Sequence, residues 1–355
     1  LKTKDFVLEK DVKIKQMSLN NLSNKLREIF TDSFPLPKYL SLNPVGIDIT
    51  SNAVRFVKLK KTDKGFIPIF HKEITFAKSI NIEDMDQVSE DDINSIVKIL
   101  KKIKNDYGIK YVVTSLPEEK NYFYRTDLPY QAIENIPSAI RFSLEENVPL
   151  SVKEVNFDYE ILEITEKDVD VVVSVFPKTV ISFYTDILNK AGLKPLSFQS
   201  ESVALSNAIS KKGDKDLYLL IRLLEDRVNV AVTEGGAVQY TSSIRIPTSD
   251  ILKNLDSAEA KKLVQELNKI LIYWFTSKKE AKEQHKIEKA IISGKGADTE
   301  GFEEFIESAL KVDVKIANVW ENCYESGEHV AELSASKSLR YAVAVGLALK
   351  AIEFK

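Results

Sequence analysis

Two stretches of the chain carry the same plan, and that repetition constrains the fold more than any other feature. Val45-Gly46-Ile47-Asp48-Ile49 is a short apolar run holding one acid, and Thr50-Ser51-Asn52 is a turn cluster. Ala53 to Lys60 then alternates with period two, the mark of a half-buried strand. Phe66 to Phe76 supplies a third strand. Leu217 to Ile221, the turn Glu225-Asp226 and Val228 to Val232 repeat the hairpin, and Glu234-Gly235-Gly236 turns the chain into a third strand, Ala237 to Arg245. A long amphipathic helix follows each set. In the first, Ser89 is the expected cap with Asp92 as capping-box partner, and Ile93, Ile96, Val97, Leu100 and Ile103 share one face. In the second, Asp256 is the expected cap with Glu259, and Leu263, Leu267, Ile270, Leu271 and Trp274 share the face. Each helix leads into a buried strand, Tyr111 to Leu116 and Ala290 to Ile292. The order predicts an α/β chain of two layered lobes.

Residues 117–178 have a different character. Tyr122 to Leu128 reads as a strand stopped by Pro129. A helix is expected from about Pro137, through Ile140, Phe142 and Leu144, ending before Pro149. Strands follow at Val155 to Leu162 and Val169 to Phe176, so the insertion is a small strand-helix-strand-strand unit. Beyond it come a helix ending at Gly192, a strand from Lys194 to Phe198 and a short helix from Ser202 to Ile209. The last helix spans Leu339 to Ile352, with alanine and glycine on one side. Residues 1–43 read as an extension in which Leu22, Leu26 and Ile29 have helical spacing before Pro35 and Pro37 break it. The expected organisation is an extension at 1–43, a first lobe from 44–116, 179–212 and 334–355, an insertion at 117–178, and a second lobe at 213–333.

Composition removes several classes of function. Fifty Lys and Arg stand against 53 Asp and Glu, a net charge of −3, so nucleic acid is not an expected partner. The single Cys323 permits no internal disulfide, and His71, His285 and His329 lie too far apart to show ligand spacing. No apolar run approaches the ~20 residues that cross a bilayer, and Leu1 to Gln16 is too charged for a signal peptide. A cytoplasmic chain is expected, meeting the membrane only through a partner.

The two hairpins, with Ser293-Gly294-Lys295-Gly296-Ala297 after the late strand, resemble the superfamily of actin, heat-shock chaperones and sugar kinases. The closer resemblance is to the PilM type IV pilus assembly proteins, beside the division protein FtsA. It is carried by Gly46 to Arg55, by Thr114 to Pro117, Asp127 to Pro129, Ala139 to Pro149 and Asn156 to Tyr159, by Ala191 to Pro195, by Ile292 to Ala297 and by Ala342 to Leu349. It covers roughly residues 44–353, and the insertion is its most specific part. The fold it implies is α/β, an actin-like and ribonuclease H-like two-lobed fold with the small α+β subdomain inserted.

The resemblance also implies a nucleotide site for ATP and Mg2+. In that fold the hairpin turns aim backbone N–H groups at phosphates, strand-end acids hold the metal through water, and the Gly-x-Gly turn admits adenosine. Carried over, the cofactor residues are Asp48, Thr50, Ser51, Asn52, Arg55, Arg222, Gly294, Lys295, Gly296 and Ala297, with Asp48 for the metal. The sequence departs from the pattern at the second hairpin. Arg222-Leu223-Leu224 stands where the family carries Asp-x-Gly, and Thr50 stands where it often has glycine. Arg222 could pair with a phosphate, or bridge to Asp48 and fill the cleft. Hydrolysis is expected to be lost or very slow, at most a weak ATPase, and no catalytic residue is assigned. The partner implied is the cytoplasmic N-terminal tail of a PilN-like membrane protein, held between the first subdomain and the insertion, with Tyr122, Tyr124 and Phe142 as candidate contacts. A homo-oligomer or ring at the inner membrane is also implied. Two other readings belong to the same superfamily: an FtsA-like polymerising ATPase, and a sugar or acetate kinase.

Overall fold

The structure, a computed structural model, describes residue 42 and residues 44–82, 84–211, 216–277, 286–287, 289–325, 329 and 332–354. The helical spacing of Leu22, Leu26 and Ile29 lies outside the described residues. In chain order the first strands and helices are β1 (Val45–Ile49), β2 (Ala53–Thr62), β3 (Gly65–Thr75), α1 (Glu90–Tyr107) and β4 (Tyr111–Leu116). The insertion supplies β5 (Tyr122–Pro129), α2 (Ile136–Asn147), β6 (Val155–Ile164) and β7 (Asp168–Pro177). Then come α3 (Lys178–Lys190), β8 (Lys194–Ser200) and α4 (Glu201–Ile209). The second half holds β9 (Leu217–Leu223), β10 (Val228–Glu234), β11 (Ala237–Ile244), α5 (Thr248–Lys253), α6 (Ala258–Ser277) and β12 (Lys289–Gly294). It closes with α7 (Phe302–Leu310), β13 (Asp313–Ile316), α8 (Ala335–Ser338) and α9 (Ala342–Ile352).

The repetition seen in sequence is a repetition of topology. One sheet has the order β3-β2-β1-β4-β8 and the other β11-β10-β9-β12-β13. In both, the first three strands pair antiparallel and the next two join in parallel. The third sheet, β5-β7-β6, is the insertion, and it buries Val169, Val171, Val173 and Val175 against Ile136, Ile140 and Leu144 of α2.

Local chemistry sets the helix ends. Ser89 Oγ accepts from the Asp92 amide at 3.2 Å, and Gly108 closes α1 in the left-handed conformation. For α6 the cap differs from expectation. The helix begins at Ala258, so the residue before it, Ser257, accepts from the Ala260 amide at 3.1 Å, and Asp256 lies one position too early.

Two helices form the seam between the main sheets. The sequence places α4 after the first sheet and α9 after the second; α4 packs on β10 and β11 as well as on β4 and β8, while α9 packs on β1, β2 and β4. They also pack on each other, and only a glycine fits where they touch. A Cβ at Gly346 would overlap the Ala204 carbonyl oxygen. Gly46 plays the same part in β1, where a Cβ would overlap the backbone of Ala344 and Ala348.

Candidate functional site

The turns of both hairpins point toward that seam. Asp48 on β1 is wholly buried. Its Oδ1 accepts from Ser115 Oγ at 3.0 Å, and its Oδ2 accepts from Arg222 Nη2 at 2.8 Å. Arg222 comes from β9 in the other sheet, and its Nη1 lies 3.2 Å from Glu201 Oε1 at the start of α4. Glu201 Oε2 in turn accepts from Asn229 Nδ2 at 2.5 Å. Burial works against the guanidinium's charge, but Asp48 and Glu201 outweigh it and hold Arg222 above the ordinary arginine value. Burial pushes Glu201 up to about 8, against the pull of Arg222 and Arg227 and with a further push from Asp48 and Glu119. Of the two roles the sequence left open for Arg222, the structure shows the bridge to Asp48.

The rest of the first turn is bound into the protein. Thr50 Oγ1 donates to the Ala53 carbonyl at 3.1 Å and accepts from Arg55 Nη1 at 3.3 Å. Arg55 Nε donates to Glu73 at 2.6 Å, and Glu73 also accepts from Arg340 at 3.0 Å. Burial opposes the Glu73 charge, yet Arg55 and Arg340 hold its pKa below the ordinary range. The Ser51 carbonyl accepts from the Ile80 amide at 2.7 Å, and that of Asn52 from the Phe76 amide at 2.9 Å. Ser51 Oγ is buried with no hydrogen-bond partner among the described residues.

On the Gly-x-Gly side, glycine is required by protein rather than by ligand. Gly294 has φ +95°, and a Cβ there would overlap the Leu223 backbone; a Cβ at Gly296 would overlap the Leu252 side chain. Lys295 is exposed, 3.8 Å from Glu225, and Ala297 is fully buried. The structure therefore brings Asp48, Thr50, Arg55 and Arg222 into one buried cluster. Asp48 was the expected metal ligand, but both its oxygens are taken, one by a hydroxyl and one by a guanidinium. The residues present do not fit a divalent cation at that position.

A second feature lies where the insertion meets the first sheet. Leu116, Phe157, Phe176, Ile181, Phe198 and Val203 line a largely apolar groove of about 280 Å³, with Asn156, Asp158, Ser174, Gln199 and Ser200 at its rim. Its walls include β6 and β8, which are each the outermost strand of their sheets. Ionic and polar ties join the base of the insertion to α4 and the second sheet. Glu118 accepts from the Ser202 amide of α4 at 2.9 Å, and Glu119 pairs with Arg227 and accepts from Ser243 of β11 at 3.0 Å. Arg125 of β5 pairs with Asp170 and donates to Gln239 of β11 at 2.7 Å.

The expected contact residues are not in this groove. Tyr122 and Tyr124 are half-buried against the insertion's own core, with Tyr124 Oη 3.0 Å from Ser143 Oγ. Phe142 faces outward from α2 and is 81% exposed. Phe157, inside the Asn156 to Tyr159 stretch that carries the resemblance, packs on the insertion's own core and reaches the groove only at its edge.

With this geometry in view, comparisons with known proteins are informative. Residues 46–244 and 248–352 match the family model described as type IV pilus assembly protein PilM. No curated protein matches the chain. Among solved structures, a PilM-PilN type IV pilus biogenesis complex aligns with a TM-score of 0.72 at 17% identity, covering 87% of this chain and 98% of that one. The ethanolamine utilization protein EutJ from Carboxydothermus hydrogenoformans aligns at 0.46 and 11% identity, covering 86% and 89%. The cytoplasmic domain of EpsL, an inner membrane component of the type II secretion system of Vibrio cholerae, aligns at 0.45 and 10% identity, covering 86% and 94%. The fold is α/β, actin-like, with the small α+β unit inserted.

Proposed function

The chain belongs to the PilM family of type IV pilus assembly proteins, and from that premise we propose that it is a scaffold holding the cytoplasmic N-terminal tail of a PilN-like membrane protein. The groove between β6 and β8 carries this reading. An extended segment laid there meets an unpaired strand edge on either side, so its backbone amides and carbonyls gain partners. Its alternate side chains enter a pocket walled by Phe176, Ile181 and Phe198. The ties from Glu118, Glu119 and Arg125 anchor the insertion to α4 and the second sheet, which reduces the ordering cost of binding. Through that partner the protein would stand at the cytoplasmic face of the inner membrane. ATP and Mg2+, the cofactors that the resemblance implies, have no part in this contact, and no catalytic residue is assigned.

A labelled tail peptide titrated against the full chain tests the reading. Ile181→Ala and Phe198→Ala are expected to weaken binding about tenfold or more, ~1.4 kcal/mol each, while Phe142→Ala leaves it unchanged. Equal losses from all three substitutions, or none, would place the tail elsewhere.

A further inference from the structure

The cluster at the seam contains a cation of its own. Arg222 lies between two carboxylates that come from different parts of the fold, Asp48 of β1 at 2.8 Å and Glu201 of α4 at 3.2 Å. All three side chains are 4% exposed or less. The fold family implies that this position takes a divalent ion delivered with a nucleotide, and beside Asp48 that place is filled by the Arg222 guanidinium. We infer that Arg222 is a resident replacement for that ion, so that the two sheets are joined across the seam without Mg2+ or nucleotide.

The charge and reach of the side chain fit this role. A guanidinium is always protonated; here Nη2 donates to Asp48 while Nη1 lies within ion-pair distance of Glu201 without hydrogen-bond geometry, so one fixed positive charge faces both acids. Unlike a metal, it is covalently part of β9 and cannot dissociate, so the seam has no open, ion-free state to be switched by a ligand. The neighbouring residues agree. Asn229, the Cα partner of Arg222 across the β9–β10 pair, donates to Glu201 and steadies the carboxylate that Arg222 uses. Leu223 and Leu224, in place of a flexible turn, are buried, and the Leu223 backbone is covered by Gly294. The second turn is thus packed closed against the strand that would otherwise face adenosine.

Removing Arg222 should turn the site back into one that wants a metal. In Arg222→Ala, Asp48 and Glu201 face each other across the space the guanidinium filled, and the nearest cation left to Asp48 is Arg55 at 4.0 Å. Thermal unfolding of the full chain, followed in EDTA, in MgCl2, in MnCl2 and in Mg·ATP, reads this out. The wild-type midpoint is expected to agree in all four to within about 1 °C, whereas a site saturated by Mg·ATP would raise it by several degrees. Arg222→Ala is expected to melt lower in EDTA and to regain part of the loss with Mg2+ or Mn2+. Arg222→Lys keeps a cation in place and is expected to ignore the metals; it serves with the wild type as the deciding pair if the alanine variant does not fold. A wild-type midpoint raised by Mg·ATP and not by ATP in EDTA overturns the inference. So does a folded Arg222→Ala chain indifferent to divalent ions, or an Arg222→Lys chain stabilised by them.

Discussion

Asp48 and Arg222 hold corresponding places in the two hairpins. Asp48 faces Arg55 across the β1–β2 pair, and Arg222 faces Asn229 across β9–β10. Each is bordered by a serine from the parallel strand beyond it, Ser115 on β4 and Ser293 on β12. Ser115 donates to the Asp48 carboxylate, but a guanidinium cannot accept, and Ser293 Oγ turns instead to the Ile221 carbonyl, 3.5 Å away. The same strand geometry therefore presents an acid in one half and a base in the other. Two acids in these places would repel and require a bridging ion; an acid and a base attract directly. The comparison extends two residues back. Gly46 in β1 lets α9 lie against the strand, while the corresponding Leu220 in β9 is a buried core residue.

Substitutions can break this comparison, and the largest effect is expected at its centre. Arg222→Ala takes from the buried Asp48 its 2.8 Å partner and leaves only Arg55 at 4.0 Å, and should cost ~3 kcal/mol of stability, read by denaturant unfolding. Asp48→Asn with Arg222→Gln, replacing both charges together, should cost much less than the sum of the single changes. Additive losses would mean that the two side chains are not coupled. Next in size is Gly46→Ala, expected to cost ~1–3 kcal/mol because the obstacle is the backbone of α9 and cannot step aside.

A smaller effect concerns pH. Glu201 has an ordinary value of 4.5 and is held at about 8 in the folded chain, facing Arg222, Arg227, Asp48, Glu119 and Asn229. Between those values the folded chain keeps a proton that the unfolded chain has released, so this group's contribution is full below about 4.5 and is lost as pH rises through about 8. The stability of Glu201→Gln relative to wild type should therefore rise from pH 5 to pH 9; a flat difference would contradict the assignment. Smallest is Ser89→Ala, which removes the cap of α1 and should cost ~1 kcal/mol, with Ser257→Ala on α6 its counterpart in the other half.

Much of this was legible in the residues. Period-two alternation in Ala53 to Lys60 and the apolar faces of α1 and α6 gave the elements, and their order gave the doubled topology. The replacement of an acid by Arg222 was visible too, but its partner was not, because Asp48 and a ligand phosphate attract a guanidinium alike and only the packing of the sheets decides between them. The groove was harder to see. Alternation along β5 divides Tyr122 and Tyr124 from their neighbours without telling which face is covered, and the insertion's own core claims them. Phe157, Phe176 and Phe198 come from three strands in two sheets, so no local pattern joins them. The helix α7 and the four-residue strand β13 went unassigned, the latter being too short for any period to show.

In the proposed function, this member of the family binds its tail with a cleft that is already closed. Affinity of the tail peptide, measured in EDTA and again in Mg·ATP, addresses that claim most directly. Dissociation constants agreeing within about twofold are expected. Binding that appears only when Mg·ATP is present would contradict it.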